Sequence, residues 1–190
     1  LSKEWAEWVE GICRRPTRID IVFTAALRQK MPDRRGRPTV TFALMGRMGE
    51  RKGVFDLLEA FKKMAGNYPS ARLILAGDGE VEKVRSLVAA AELEDKVEVP
   101  GWVSGAEAES VFERADVYCL PSYNECLPGS ILEAMAVGLP VISTPVGGIL
   151  EAVEHESNGL IVEPGDIAAL ADGLVRLAAA VSYTHLTLPT

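Results

Sequence analysis

Between residues 39 and 181, short and wholly apolar runs alternate with amphipathic helical stretches. No other feature of the chain constrains its fold as strongly. VTFALM (40–45), ARLILAG (71–77), KVEVPG (96–101), DVYCLP (116–121), PVIST (140–144) and NGLIVE (158–163) read as strands. VFDLLEAFKKMA (54–65), EVEKVRSLVAAAEL (80–93), AEAESVFERA (106–115), SILEAMAVG (130–138, stopped by Gly138) and GILEAVEH (148–155) read as the helices between them. DIAALADGLVRLAAAV (166–181) reads as the closing helix. In the first helix the apolar positions 54, 55, 57, 58, 61 and 64 mark the face expected to be buried. Strands that are apolar throughout must be covered on both faces, which implies an α/β fold: a Rossmann-like parallel sheet with helices on both faces. Ligands of such sheets sit outside the carboxyl ends of the strands. The loops after residues 45, 77, 101 and 121 therefore matter most.

The chain's 190 residues suffice for one such domain. No stretch approaches the roughly 20 apolar residues of a membrane helix, and no basic-then-apolar leader is visible. The start, LSKEWAEWVEG, lacks a methionine and opens mid-pattern, as a fragment would. Residues 2–13 fit an amphipathic helix, TRIDIVF (17–23) a strand, and the basic, turn-rich 28–38 a linker or surface loop. SYTHLTLPT (182–190) shows no helical period and ends in turn formers, so it reads as a non-native appendage or a truncation artefact. Cys13, Cys119 and Cys126 form no pair with metal or redox spacing, and His155 and His185 stand alone. Residues 1–70 hold 14 Lys/Arg against 8 Asp/Glu, and residues 71–190 hold 6 against 19. The acidic majority argues against nucleic acid. The basic first third suits phosphates, a peripheral contact with an anionic membrane, or solvated helix faces.

GRMGERKGV (46–54) follows the first strand directly, so Arg47, Arg51 and Lys52 crowd the start of a helix. Cations there oppose the helix dipole unless an anion lies between them. The sequence equally allows a turn whose charges face water, with Glu50 balancing one of them. It is not a Walker A loop, and GDGEVE (77–82) lacks the third glycine of the dinucleotide fingerprint, leaving a strand-to-helix turn. In NECLPGSILEAMA (124–136), Ser130 and Glu133 fit a capping box, with Ser130 as N-cap, which would explain Glu133 structurally. Glu125, in the loop before it, has no such explanation. It is placed to accept hydrogen bonds from hydroxyls, and Glu133 could reach a diol. Two acids flanking a helix mouth, with a cationic loop opposite, describe a cradle for a sugar nucleotide.

GRMGERKGVFDLLEAF, ARLILAGDGE, VPGWV, LPSYNECLPGSILEAMAVGLPVISTPVGG and NGLIVEPGD, in this order and spacing, resemble the C-terminal donor-binding domain of family-4 retaining glycosyltransferases (glycosyl transferases group 1), the C-terminal half of a GT-B fold. The resemblance spans residues 39–181 and makes 1–38 the remnant of an N-terminal domain and its linker. It implies that Arg47 and Lys52 bind the donor diphosphate and stabilise the leaving group, that Glu133 holds the ribose and that Glu125 contacts the transferred sugar. It also implies backbone contacts from Leu127, Pro128, Gly129 and Ser130, base contacts from Gly101, Trp102 and Val103, and a close approach at Gly46. Pro128 departs from the usual pattern and has no N–H to give.

The partners implied are a nucleotide-diphosphate sugar, an acceptor glycan or lipid-linked glycan, and an absent N-terminal domain. No cofactor and no metal are expected, and a cytoplasmic setting at the inner face of the membrane is the expected location. The acceptor site would lie on the absent domain, so the chain alone is expected to bind donor weakly and not to turn over. The alternatives are a GT-B epimerase or phosphorylase, a non-catalytic nucleotide-sugar-binding module, and a dinucleotide-dependent dehydrogenase.

Overall fold

The computed structural model describes residues 39–187 throughout, together with Glu7, residues 32–34 and Arg37. The helix expected at 2–13, the strand at 17–23 and most of the linker at 28–38 lie outside the described residues. Six strands form one sheet: β1 (Thr41–Met45), β2 (Arg72–Ala76), β3 (Val97–Gly101), β4 (Val117–Leu120), β5 (Val141–Ser143) and β6 (Gly159–Ile161). Their order is β3-β2-β1-β4-β5-β6, and every pairing is parallel. Five helices join or follow them: α1 (Val54–Ala65), α2 (Val81–Ala90), α3 (Ala106–Arg114), α4 (Gly129–Ala136) and α5 (Ile167–Thr187). Right-handed crossovers, the rule for such units, put α1 and α2 on one face of the sheet and α3 and α4 on the other. Helix α5 packs along α1. The Rossmann-like architecture read from the sequence is the one observed.

The central strands are apolar because both their faces are covered. Phe42, Leu44, Leu73, Leu75 and Val117 are wholly buried. The Phe42 and Phe61 rings meet edge-on, with centroids 6.3 Å apart. Phe55, expected on the buried face of α1, is only partly covered, and the Lys83 ammonium lies 4.1 Å from its ring centroid.

Two local expectations fail. The helix expected at 148–155 is a single 3-10 turn, Ile149–Glu151. The Asn158 side chain accepts from the Glu154 N–H (2.8 Å) and donates to the Ala152 carbonyl (3.1 Å), closing a turn where a helix would need those backbone groups. At the other end, α5 runs on to Thr187, six residues into the segment read as lacking helical period. No glycine or proline interrupts 182–187, and the first breaker is Pro189. In the stretch read as a basic linker or surface loop, two cations bond the fold. Arg34 donates to the carbonyls of Ala115 (2.9 Å), Phe112 and Val137, and Arg37 to those of Arg114 and Glu113 (3.1 Å each). Between them the two guanidiniums cap the carbonyl end of α3. Burial pulls the Arg34 guanidinium below its ordinary value, and nearby Asp116 offsets part of that fall.

Leu44 sits fully buried in the middle of the innermost pair of strands. Truncation to alanine should lower unfolding free energy by about 2–5 kcal/mol, read from urea denaturation.

Candidate functional site: the crevice between strands 1 and 4

The sheet reverses direction between β1 and β4. From β1 the chain moves outward to β2, whereas from β4 it moves the other way to β5. The loops leaving these neighbours therefore part and open a crevice, the usual ligand position in this architecture. Residues 46–53 form one wall and residues 121–128 the other.

Backbone contacts hold the walls together at their base. The Tyr123 N–H donates to the Arg51 carbonyl (2.9 Å), and the Arg51 guanidinium donates to the Asn124 carbonyl (3.0 Å). Gly53 adopts the left-handed conformation (φ 65°), and a Cβ there would lie 2.0 Å from the Pro121 carbonyl oxygen. Only glycine lets the two loops approach this closely.

Across this base Lys52 Nζ lies 2.6 Å from Glu125 Oε1, and Arg51 lies 3.6 Å from the same oxygen. The Ser122 hydroxyl also donates to Oε1, at 2.9 Å. The Glu125 side chain is only 7% exposed and that of Lys52 12%. All three groups converge on Oε1, Arg51 at ion-pair distance only, and among the described residues nothing bonds Oε2. That leaves one oxygen of a nearly buried carboxylate open to a further donor.

Arg47, expected beside Lys52, diverges from it. Its side chain is 72% exposed, and the guanidinium lies 3.7 Å from Asp78, in the loop after β2. The structure thus joins Lys52 to Glu125 and pairs Arg47 with Asp78 of the neighbouring loop. The partners of these cations are Asp78 and Glu125, not Glu50. Gly46 lies under Lys52, whose Cε would be 3.6 Å from a Cβ at that position.

Helix α4 starts two residues earlier than a capping box with Ser130 as N-cap would have it. Pro128, in extended conformation, is the N-cap, and no side chain bonds the helix start. Ser130 is consequently the second helical residue and cannot be the N-cap. Glu133 falls beyond the first turn and is exposed. Proline's fixed φ of about −65° favours this register, because Pro128 is preset for a helix entry. The first N–H groups of α4 therefore keep their donors free of side-chain caps. Gly129 faces open space, since a Cβ there would touch nothing within 4 Å. Leu127 is half-buried and Pro128 buried beside it.

Tyr118 ties the helix to β1. Its hydroxyl donates to the Met45 carbonyl (2.9 Å), and the Ser130 hydroxyl contacts the same phenol. Burial pushes the Tyr118 hydroxyl well above its ordinary range, an effect that Ser130 partly offsets, and burial likewise pushes the Cys119 thiol up. Tyr123, at the mouth, donates to Asp56 (2.7 Å), and that bond raises its phenol.

The loop 101–103 stands further off. The Gly101 carbonyl accepts from the Gly77 N–H (2.7 Å), so that acceptor is already engaged. Trp102 is 70% exposed and lines, with Pro100, Val103 and Ala106, a groove of about 430 Å³ beside α3. Among the described residues no group of three His, Cys, Asp or Glu side chains is arranged to hold a metal ion. No described helix is long and apolar enough to cross a membrane.

Sequence reasoning did not single out Ser122, Asp78 or the Gly147–Gly148 turn. A Cβ on Gly147 would lie 1.8 Å from the Glu125 carbonyl oxygen, and the Gly148 N–H bonds the Cys126 carbonyl. This turn is pressed against the loop that carries Glu125, and the Gly-Gly pair following a strand was the signal available for it.

A parallel sheet whose strand order reverses between β1 and β4 is a doubly wound α/β architecture, and comparison narrows it. Residues 27–179 match the family model for glycosyl transferases group 1. The chain belongs to that family. It is 37% identical over 142 residues to the putative colanic acid biosynthesis glycosyltransferase WcaL of Escherichia coli, covering 71% of this chain and 34% of the relative. It is 35% identical over 191 residues to a D-inositol 3-phosphate glycosyltransferase of Pseudarthrobacter chlorophenolicus, covering 93% and 46%. The chain thus spans less than half the length of these relatives. Among solved structures, the apo form of the lipopolysaccharide outer core galactosyltransferase WaaB superposes with a TM-score of 0.78 at 24% identity, over 94% of this chain and 52% of that one. The C-terminal domain of a group 1 glycosyl transferase, LpcC of Francisella tularensis, superposes at 0.68 with 24% identity, over 80% of each chain. Both show the GT-B type of fold. A third neighbour, Anabaena HepE solved with UDP and glucose, superposes at 0.65 with 24% identity, over 77% of this chain and 42% of that one.

Removing Lys52 strands a nearly buried carboxylate, so Lys52→Met should cost about 3–5 kcal/mol of stability. The exposed Arg47–Asp78 pair should matter far less, with Arg47→Ala within about 1 kcal/mol of the parent. Urea denaturation of the two variants side by side checks the difference.

Proposed function

We propose that this chain is the donor-binding part of a retaining glycosyltransferase that moves a sugar from a nucleoside diphosphate to an acceptor hydroxyl, in the synthesis of glycans or cell-envelope polysaccharides. The observation that carries it is the ion pair of Lys52 with a nearly buried Glu125, four residues before a helix that starts without a side-chain cap, with no donor to Oε2 among the described residues. A diphosphate suits the ammonium, the Arg47 guanidinium and the free N–H groups of α4. A sugar hydroxyl suits Oε2, and Glu133, on the exposed side of the helix, suits the ribose diol.

In this reading the reaction separates a phosphate oxygen from an anomeric carbon, and negative charge grows on the departing diphosphate. Cations and backbone donors already in place stabilise that charge more in the transition state than in the ground state. The donor phosphates must draw Lys52 away from Glu125 or share it, so Lys52 connects phosphate binding to the carboxylate that meets the sugar. No metal is required in this reading, because Arg47 and Lys52 supply the positive charge. Names of relatives point the same way: they include enzymes of colanic acid and amylovoran biosynthesis, and the HepE structures contain UDP or UDP-glucose.

Titrating the ¹⁵N-labelled chain with UDP, GDP, ADP and NAD tests the reading through amide shifts. One of the three nucleoside diphosphates should shift Gly129 and Ser130 at a lower concentration than NAD does. Arg47→Ala, which should fold normally, should weaken that ligand by about tenfold, the value of a hydrogen bond to a charged group. Preference for NAD would refute the proposal.

A further inference from the structure

Three buried hydroxyls line the ends of β4 and β5 behind Glu125. The Ser143 hydroxyl donates to the Leu120 carbonyl (2.6 Å), the Thr144 hydroxyl donates to the Ser122 carbonyl (2.6 Å), and the Ser122 hydroxyl donates to Glu125 Oε1 (2.9 Å). Ser122, Ser143 and Thr144 are each 0% exposed. The Leu120 carbonyl also accepts from the Ser122 N–H (2.9 Å). The Ser143 and Thr144 hydroxyls thus bond the backbone at the end of β4, and the Ser122 hydroxyl holds the carboxylate.

A carboxylate fixed only by Lys52 and Arg51 would be fixed by long, flexible side chains. Lys52, moreover, is the group a diphosphate would compete for. The Ser122 hydroxyl is the donor to Oε1 that stays in place when Lys52 turns to phosphate, because it stands on the rigid end of β4. Its direction matters as well. With Oε1 claimed from inside the fold, the carboxylate plane is set and Oε2 is the oxygen left over. Groups that orient a ligand-binding side chain in this way commonly change affinity or activity by about 10–100-fold when removed, as in metal sites.

We propose that Ser122, with Thr144 behind it, is a positioning residue that fixes Glu125 so that Oε2 faces the transferred sugar when Lys52 is drawn to the donor phosphates. The proposal rests on the reading of Glu125 given above. Its test compares, for the 190-residue chain, the affinity for each of UDP-glucose, UDP-galactose and GDP-mannose with the affinity for its own nucleoside diphosphate, by amide-shift titration. For the donor that binds, the ratio of sugar-nucleotide to nucleotide affinity should fall by about tenfold in Ser122→Ala. It should fall also in Thr144→Val and stay near the parent value in Thr144→Ser, which keeps the hydroxyl. Affinity for the nucleoside diphosphate alone should not change. A purely structural role would weaken both ligands alike, and that result would overturn the proposal. So would an unchanged ratio in Ser122→Ala while Glu125→Gln lowers it, which leaves the Glu125 reading standing. If Glu125→Gln also leaves the ratio untouched, the Glu125 reading itself fails, and this proposal with it. Should Ser122→Ala not fold, the Thr144→Val and Thr144→Ser pair decides the matter alone.

Discussion

The contact between Lys52 and Glu125 closes two loops that the sheet's topology pulls apart. β1 and β4 are neighbours, but their chains leave in opposite directions, and nothing in the sheet itself keeps residues 46–53 beside residues 121–128. Glycine at position 53, the Tyr123–Arg51 backbone bond and the buried ion pair do so together. A buried pair of this kind adds little to stability compared with an apolar substitute. Its presence is better understood as placement. It holds an ammonium and a carboxylate at one point of the crevice, four residues in sequence before the start of α4.

That helix start is open because of proline. With Pro128 at the N-cap there is no side-chain oxygen to satisfy the first turn. The capping box expected from Ser130 and Glu133 is a sound rule of sequence that the register of the helix defeats. Its failure releases both residues: Ser130 turns to the Tyr118 phenol, and Glu133 stays exposed. Tyr118 in turn bonds the Met45 carbonyl, so the end of β1 and the start of α4 share a single phenol.

The sheet was legible in the sequence because parallel strands covered on both faces must be apolar along their length, as Phe42–Leu44 and Val117–Leu120 are. The helix ends were less legible. Asn158 closes a turn through side-chain bonds that no periodicity reveals, and residues 182–187 continue a helix without an amphipathic pattern to announce it. Within the site, the charged residues could be named from their spacing, but their pairing could not. Arg47 and Lys52 are five residues apart, yet the turn at 50–52 sends one to Asp78 and the other to Glu125. Ser122 escaped notice because a lone serine after a strand carries no pattern. Only the fold shows that its hydroxyl is buried against a carboxylate.

The uneven charge of the chain has a consequence for how an anion reaches this crevice. Residues 71–190 hold 19 acids against 6 bases, and Glu125 and Asp78 already partner the cations at the mouth. A polyphosphate nearing this part of the molecule meets a repulsive field that reaches about a Debye length from the surface, and attraction takes over only at contact. Added salt screens the repulsion first, so moderate ionic strength should speed the encounter while it weakens the hold once made.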